Sequence, residues 1–236
     1  MRILLAGGSG YVGTMVIPYL KSEFALRVLD LAPPKDPAAE YIQGSVADIE
    51  AVRRALGGME AVVYMTMARK SDGHYDCRDV DANYDIHVKH LHRVLLAAAE
   101  AGIRRAVYAS SMSVYAHRPP GFPDGEDTPA DAGDIYGFTK RLGELVCDFF
   151  SRVHGLTIIS LRLNGPMPLE AWQATARQGR ILGQTAAPDV ARAIALALTA
   201  PLSGAHVLNI TGDYTGRYCR CTRARDLLGW EPLARP

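Results

Sequence analysis

Cysteine, tryptophan and net charge are all scarce in this chain. Its 236 residues include 4 cysteines and 2 tryptophans. Cys77, Cys147, Cys219 and Cys221 do not make a disulfide framework, so reduced thiols and a cytoplasmic setting are expected. Cys219-x-Cys221 lacks a second ligand pair, and His92 lies off the helix face shared by His87 and His90. No metal site is expected from either group. Lys and Arg number 26 against 25 Asp and Glu, for a formal charge of +1. That balance removes the electrostatic case for nucleic acid or an anionic membrane as partner. Glycine, proline or charge interrupts every apolar run before it could span a bilayer. The first apolar stretch passes into glycines too soon for a signal peptide. Repeats, low-complexity tracts and long charge blocks are missing as well.

What is present is a 48% apolar chain, enough for a substantial core in one domain with a small appended lobe. Strands are expected near 2–6, 25–30, 60–65, 105–110, 157–162 and 206–210. Helices are expected near 11–22, 47–57, 79–101, 136–154, 187–200 and 220–228. This alternation implies an α/β fold, a parallel sheet covered on both faces with its ligand at the carboxyl ends of the strands. Segment 112–135 carries four prolines and three glycines and is expected to be a mobile flap over that edge.

Two patterns carry chemistry. Arg2–Ala6 runs into Gly7-x-x-Gly10-x-x-Gly13 and then a helical stretch. Glycines there permit a tight turn, let backbone approach a pyrophosphate, and seat helix close on strand. The first helical N–H groups favour phosphate. A second apolar run ends in Asp30, where an acid would receive a ribose 2′-hydroxyl and repel a 2′-phosphate, favouring NAD over NADP. It could equally be a strand-end aspartate opening a turn. The other pattern is Tyr136 and Lys140, four apart and so on one helix face, with Ser111 upstream. A free phenol titrates near 10, and bringing it toward 7 takes roughly 4 kcal/mol, a task a neighbouring ammonium can share. On its own, such a pair could be a tyrosine packed beside a solvated lysine.

Together with GSVAD at 44–48, EAVVYMTMA at 60–68, AGIRRAVYASSMSVY at 101–115 and YGFTKRLGE at 136–144, these segments resemble the extended short-chain dehydrogenase/reductase superfamily. The resemblance is to its NAD-dependent epimerase/dehydratase-like branch and runs in register over about 2–165, with weaker matches at 189–198 and 223–232. It implies a Rossmann-type doubly wound sheet over residues 1–165 and a reduced substrate-binding lobe over 166–236 that partly completes it. It implies NAD as cofactor, contacted by Gly7, Gly10, Tyr11, Val12, Gly13, Asp30, Asp48, Met65, Tyr136 and Lys140. Ser111 would polarise the substrate oxygen, Tyr136 would act as general acid/base, and Lys140 would hold the nicotinamide ribose and lower the tyrosine pKa. Substrate contacts would come from Ser111, Met112, Ser113, Asn164 and His87. Ser110 would face the sheet or the loop. The helices at 79–101 and 136–154 resemble those through which the superfamily forms four-helix homodimers.

Departures narrow the reading. The residues after Ser111 are Met112 and Ser113, where dehydratases of the branch carry an acid pair, which argues against dehydration. His87 stands where an asparagine is common, and a titratable imidazole there could relay protons. Leu163 stands where the family often has proline. About twenty residues separate Pro168 from Asp189, where sugar-nucleotide-modifying members insert much of their substrate domain. A smaller sugar-like polyol or ketone fits better, as for the compact uronate dehydrogenases. The expected activity is NAD-dependent oxidoreduction of such a substrate. Epimerisation through a transient ketone is one alternative, and an inactive NAD sensor or scaffold another.

Overall fold

The computed structural model describes residues 1–68, 77–116, 125–179 and 183–236. Its centre is a seven-stranded sheet, wholly parallel, built from β1 (Arg2–Ala6), β2 (Ala25–Asp30), β3 (Glu40–Gln43), β4 (Ala61–Tyr64), β5 (Arg105–Ser111), β6 (Thr157–Leu163) and β7 (Ala205–Ile210). The order is β3-β2-β1-β4-β5-β6-β7, so the chain winds outward from β1 in both directions. The central strands are apolar on both faces because both are covered: Ile3, Leu4, Leu5 and Ala6 have no exposed surface, nor have Ala61, Val62 and Val63. One core lies between the sheet and helices α1 (Tyr11–Leu20), α7 (Ala187–Thr199) and α8 (Thr222–Leu228). The other lies against α2 (Ile49–Leu56), α4 (Leu91–Glu100) and α5 (Ile135–His154).

The expected layout holds with three differences. β3, EYIQ, is a short edge strand of mixed polarity with no apolar face to announce it, and Arg27 of β2 pins it through Glu40 at 2.8 Å. α6 (Leu169–Arg177) lies where no helix was expected, since only Trp172 and Ala176 of its residues are buried. The single helix expected over 79–101 is α3 (Cys77–Tyr84), a π-helical turn (Asp85–His90) and then α4. In the wider turn the Ile86 carbonyl accepts from the Tyr64 hydroxyl at 2.6 Å. β7 and α7 of the expected C-terminal lobe are built into the sheet and against α1. Of the expected flap, Met112–Val114 is a 3₁₀ turn, and residues 117–124 lie outside the described residues. Its later part is docked: Glu126 accepts from Asn209 N at 2.7 Å and Asp131 from Ala116 N at 2.8 Å.

Helix ends follow local rules. Asp48 caps α2 by accepting from Glu50 N and Ala51 N, and Asp134 caps α5 by accepting from Gly137 N at 2.7 Å. α5 stops at Gly155, φ 67°, with Arg152 and His154 in its last turn. Along its inward face, the Glu144 side chain is fully buried and binds two strands as well as its own helix. It accepts from Ser110 Oγ of β5 at 2.7 Å, from Arg162 Nε and Nη2 of β6 at 2.8 Å each, and from Arg141 Nη1 at 2.9 Å. The remaining Arg162 nitrogen donates to the Tyr115 hydroxyl. Ser110 thus turns toward α5 rather than a loop.

Glu144→Gln is expected to lower the unfolding free energy by about 3 kcal/mol, the lower range for removing one partner from a buried ion pair. Urea denaturation would read this; a loss below about 1 kcal/mol, the size of a surface pair, would mean the cluster is not what fastens α5.

Candidate active site

The glycine turn joins β1 to α1 at the carboxyl edge of the sheet. Gly7 takes φ 85°, and a Cβ there would come within 2.7 Å of Thr66 backbone atoms. A Cβ on Gly13 would sit 2.1 Å from the Gly8 carbonyl oxygen, so only glycine lets α1 close on the turn. Gly10 caps α1 without a side chain, leaving the first N–H groups of the helix unengaged by any cap. Tyr11 is exposed, whereas Val12 leans on the core. Asp30 closes the turn from the side, accepting from Ser9 N at 2.9 Å and Leu31 N at 2.7 Å. Each carboxylate oxygen keeps a further lone pair, so the acid can still receive a hydroxyl. Those features fit a dinucleotide: a backbone cradle that a Cβ would fill, an uncapped helix start and an acid at the neighbouring strand end.

Two expected cofactor contacts, Met65 and Asp48, have other partners in this structure. The Met65 side chain packs into the core, and Thr66 is the residue that faces Gly7. Asp48 is exposed and already caps α2 through Oδ1. Sequence reasoning overlooked Thr66, and only its place two residues past a buried strand end could have drawn attention to it.

Beyond β5 the chain presents the second group. Ser111 Oγ accepts from Ser113 N at 3.1 Å, which leaves its own proton to donate. Met112 is buried beneath it and Ser113 half-buried. A Cβ on Gly137 would lie 1.9 Å from the Ser113 carbonyl oxygen, so the start of α5 rests directly on the turn after Ser111. Tyr136 directly precedes that contact point in α5. Lys140, one helical turn on, is buried and donates from Nζ to the Ala109 carbonyl at 2.8 Å. Its ammonium lies 5.7 Å from the Tyr136 ring centre and 5.1 Å from that of Tyr108. Burial pushes the Lys140 pKa down to about 7, while Cys147 and Glu144 act the other way.

His87 differs from expectation. Its ring is fully covered and meets Tyr136 edge-on at 5.5 Å. Burial, then the Lys140 charge, pushes its pKa down to about 2, so it stays neutral and does not relay protons as an imidazolium. Its Nδ1 lies 2.9 Å from Thr139 Oγ1. Asn164 uses its backbone elsewhere: N–H to the Ile210 carbonyl at 3.0 Å, and C=O to Thr185 N and Oγ1 at 3.0 Å each. Any contact of Asn164 with substrate or nicotinamide therefore falls to its side chain. Among the described residues, no cluster of three or more His, Cys, Asp or Glu could hold a metal.

Residues 3–167 match the NAD dependent epimerase/dehydratase family. A UDP-glucose 4-epimerase from Lactobacillus helveticus is 28% identical over 168 residues, 69% of this chain and 51% of that protein. An L-arabinose 1-dehydrogenase (NAD(P)(+)) from Haloferax volcanii is 25% identical over 177 residues, 69% of this chain and 66% of its own. Of three curated relatives, the epimerase included, the chain spans 39, 47 and 51% of the length. A short-chain dehydrogenase/reductase superfamily protein from Agrobacterium tumefaciens, solved with bound NAD, superposes with a TM-score of 0.82 at 25% identity. That superposition covers 98% of this chain and 92% of the other.

The buried lysine makes a pH prediction. Its ordinary pKa is 10.5 and its folded value about 7. Between the two, the unfolded chain holds the proton and the folded chain does not, so stability rises with pH across that window. Below 7 both states are protonated and the full penalty for burying the charge persists. The unfolding free energy of wild type minus that of Lys140→Met should therefore climb between pH 7 and pH 10.5, the two values given for this lysine. A flat difference in denaturant titrations would place the ammonium in contact with water.

Proposed function

This chain belongs to the NAD dependent epimerase/dehydratase family, and from that premise we propose that it is an oxidoreductase moving a hydride between NAD and a secondary alcohol or ketone of a small sugar-like substrate. Bound NAD supplies the hydride acceptor or donor. The residues divide the remaining work. The Gly7–Gly13 turn and the start of α1 hold the pyrophosphate, and Asp30 receives the adenosine ribose hydroxyl. Ser111 donates to the substrate oxygen. Tyr136 takes the hydroxyl proton in oxidation or returns it in reduction. Lys140 holds the nicotinamide ribose and favours the phenolate by its charge. The observation that supports this reading is the seating of Gly137 on the Ser113 carbonyl, with the buried Lys140 ammonium bonded to the Ala109 carbonyl of β5.

Dehydration is disfavoured, because the turn after Ser111 offers Met112 and Ser113 and no carboxylate. A compact substrate is favoured by the short span between Pro168 and Asp189, of which α6 occupies Leu169–Arg177. Epimerisation is the second reading, supported by relatives named as 4-epimerases. It would use the same three side chains. Residence in a reducing cytoplasm fits the four free cysteines. Among the described residues, no helix is long and apolar enough to cross a membrane.

A screen of NAD reduction over sugar acids, free sugars and nucleotide sugars tests the proposal. Net NADH marks a dehydrogenase; product epimer without net NADH marks an epimerase; NAD binding with no turnover across the panel marks a sensor. Tyr136→Phe is expected to slow turnover at least about a hundredfold, as for loss of a general acid/base, with NAD affinity within about twofold. Turnover near wild type in that variant would eliminate the mechanism.

The assembly proposed is a homodimer through α4 and α5. Phe138, Leu145, Phe149 and Val153 leave 38 to 56% of their surface exposed, and the last three repeat every four residues along α5. Leu96 of α4 is exposed too. Sedimentation should give a dimer for wild type and a monomer for Leu145→Glu; a monomeric wild type refutes the assembly.

A further inference from the structure

Among the described residues, Cys221 is the one non-glycine residue with a positive φ, 47°. With ψ 40° it lies in the left-handed region, which is strained for a side chain other than hydrogen. It stands at the N-cap of α8, yet its side chain caps no helix N–H. φ sets where a Cβ stands relative to the preceding chain, so this backbone decides what the thiol meets. It meets Thr211, whose Oγ1 lies 3.4 Å from Cys221 Sγ, and the thiol of Cys219 two residues earlier. The Cys219 sulfur is in hydrogen-bonding contact with the Cys221 thiol, the Cys221 backbone N–H and the Thr211 hydroxyl. Strain of this kind persists only where the surroundings impose it. Here they do: Cys219 and Cys221 are 2 and 4% exposed and pack in the core that joins β7 to α8. The Cys219 backbone is anchored as well, donating to Asp213 Oδ2 at 3.1 Å.

The two thiols are not equivalent. The Cys221 thiol donates to the Cys219 sulfur, and that bond outweighs burial at Cys219. It holds Cys219 below the ordinary thiol range and Cys221 well above it. Cys219 is the readier thiolate, and Cys221 keeps the proton. Cys147, by contrast, is pushed up to about 12 by burial. The pair also lies close to the surface along the chain. Arg220 between the two is exposed, and Tyr218 and Thr222 on either side are half-buried. Local opening of that stretch admits an oxidant little larger than water.

We propose that Cys219 and Cys221 form a redox-active dithiol, closed to a disulfide by a peroxide and reopened by a dithiol reductant. The Cys219 thiolate attacks one peroxide oxygen, the O–O bond breaks, and the leaving hydroxide takes a proton to become water. Cys219 is then a sulfenic acid. The Cys221 sulfur attacks it; an S–S bond forms, the S–O bond breaks, and the hydroxide leaves with the Cys221 proton as a second water. The two thiols lose two electrons between them, and the peroxide gains both. A disulfide closed across a single residue is confined, which places it among the easily reduced ones. The site stands apart from the oxidoreductase reading above and does not depend on it.

Trypsin cuts after Arg217, Arg220 and Arg223, so it separates the two cysteines and makes a bond between them visible. The folded protein is treated with limiting hydrogen peroxide, blocked with iodoacetamide in denaturant and digested. Mass spectrometry should find residues 218–220 joined to residues 221–223 in a protein that remains a single chain on a non-reducing gel. Dithiothreitol added before blocking should return both as alkylated thiols. Cys221→Ser should stop at the sulfenic acid, trapped on Cys219 by dimedone, whereas Cys219→Ser should leave Cys221 a thiol. Oxidation of Cys147 should be at least about tenfold slower than that of Cys219. Recovery of both cysteines as alkylated thiols after peroxide overturns the proposal. So does their passage to sulfinic acids without a joined peptide, or a joined peptide found only in a covalent dimer.

Discussion

The arrangement at the end of β5 depends on one buried carboxylate. Moving Glu144 out of water costs several kcal/mol after relaxation, and such a charge persists only when its lone pairs are filled. Four donors from Ser110, Arg162 and Arg141 fill them. Since Ser110 belongs to β5, Arg162 to β6 and Glu144 to α5, the carboxylate fixes the helix against two neighbouring strands. Tyr136, Lys140 and Glu144 are spaced by four and share a face, so whatever places Glu144 places the other two. Alternation along β5 does the complementary work: Ser110 turns to the helix, leaving Ser111 for the open edge.

Close approach completes what the ion pair begins. Gly137 and Gly143 are in the negative-φ helical region, and neither is needed for backbone freedom. Each is needed because a side chain would meet something immovable, the Ser113 carbonyl in one case and the Tyr108 hydroxyl in the other. α5 therefore lies flat on the sheet at two points six residues apart, with Lys140 enclosed between them. Enclosure is what desolvates the ammonium, and desolvation is the first cause of its lowered pKa.

Much of this was legible in the sequence because it rests on short-range rules. The strands with apolar runs, the glycine turn and the Tyr–Lys helix all fell where periodicity and spacing put them. β3 did not, because an edge strand need not be apolar and EYIQ carries no alternation. α6 did not, because two buried residues in nine leave no stripe to read. The π-turn inside the long helix was illegible for a different reason. Its contacts are tertiary, such as the bond from Tyr64 to the Ile86 carbonyl, which joins residues 22 apart. The same limit applies to the site. Asp48 and Met65 were read by position in a pattern, which did not show that the first also caps a helix and the second packs into the core. The partners of Ser110 and Thr139 came into view only with the coordinates, since nothing in a linear string says which carboxylate or imidazole a hydroxyl will meet.

Burial of Lys140 poses the question of why a lysine stands there at all. An arginine could not shed its charge in such a pocket, and its planar fork would demand more acceptors than a carbonyl and two aromatic faces provide. A compact ammonium suits the space and can exist in either form. In the free protein its charged state is held by one carbonyl and the rings of Tyr108 and Tyr136, against a burial cost large enough to bring its pKa to about 7. Each acceptor added beside it favours the charged form. Ribose hydroxyls are acceptors of that kind.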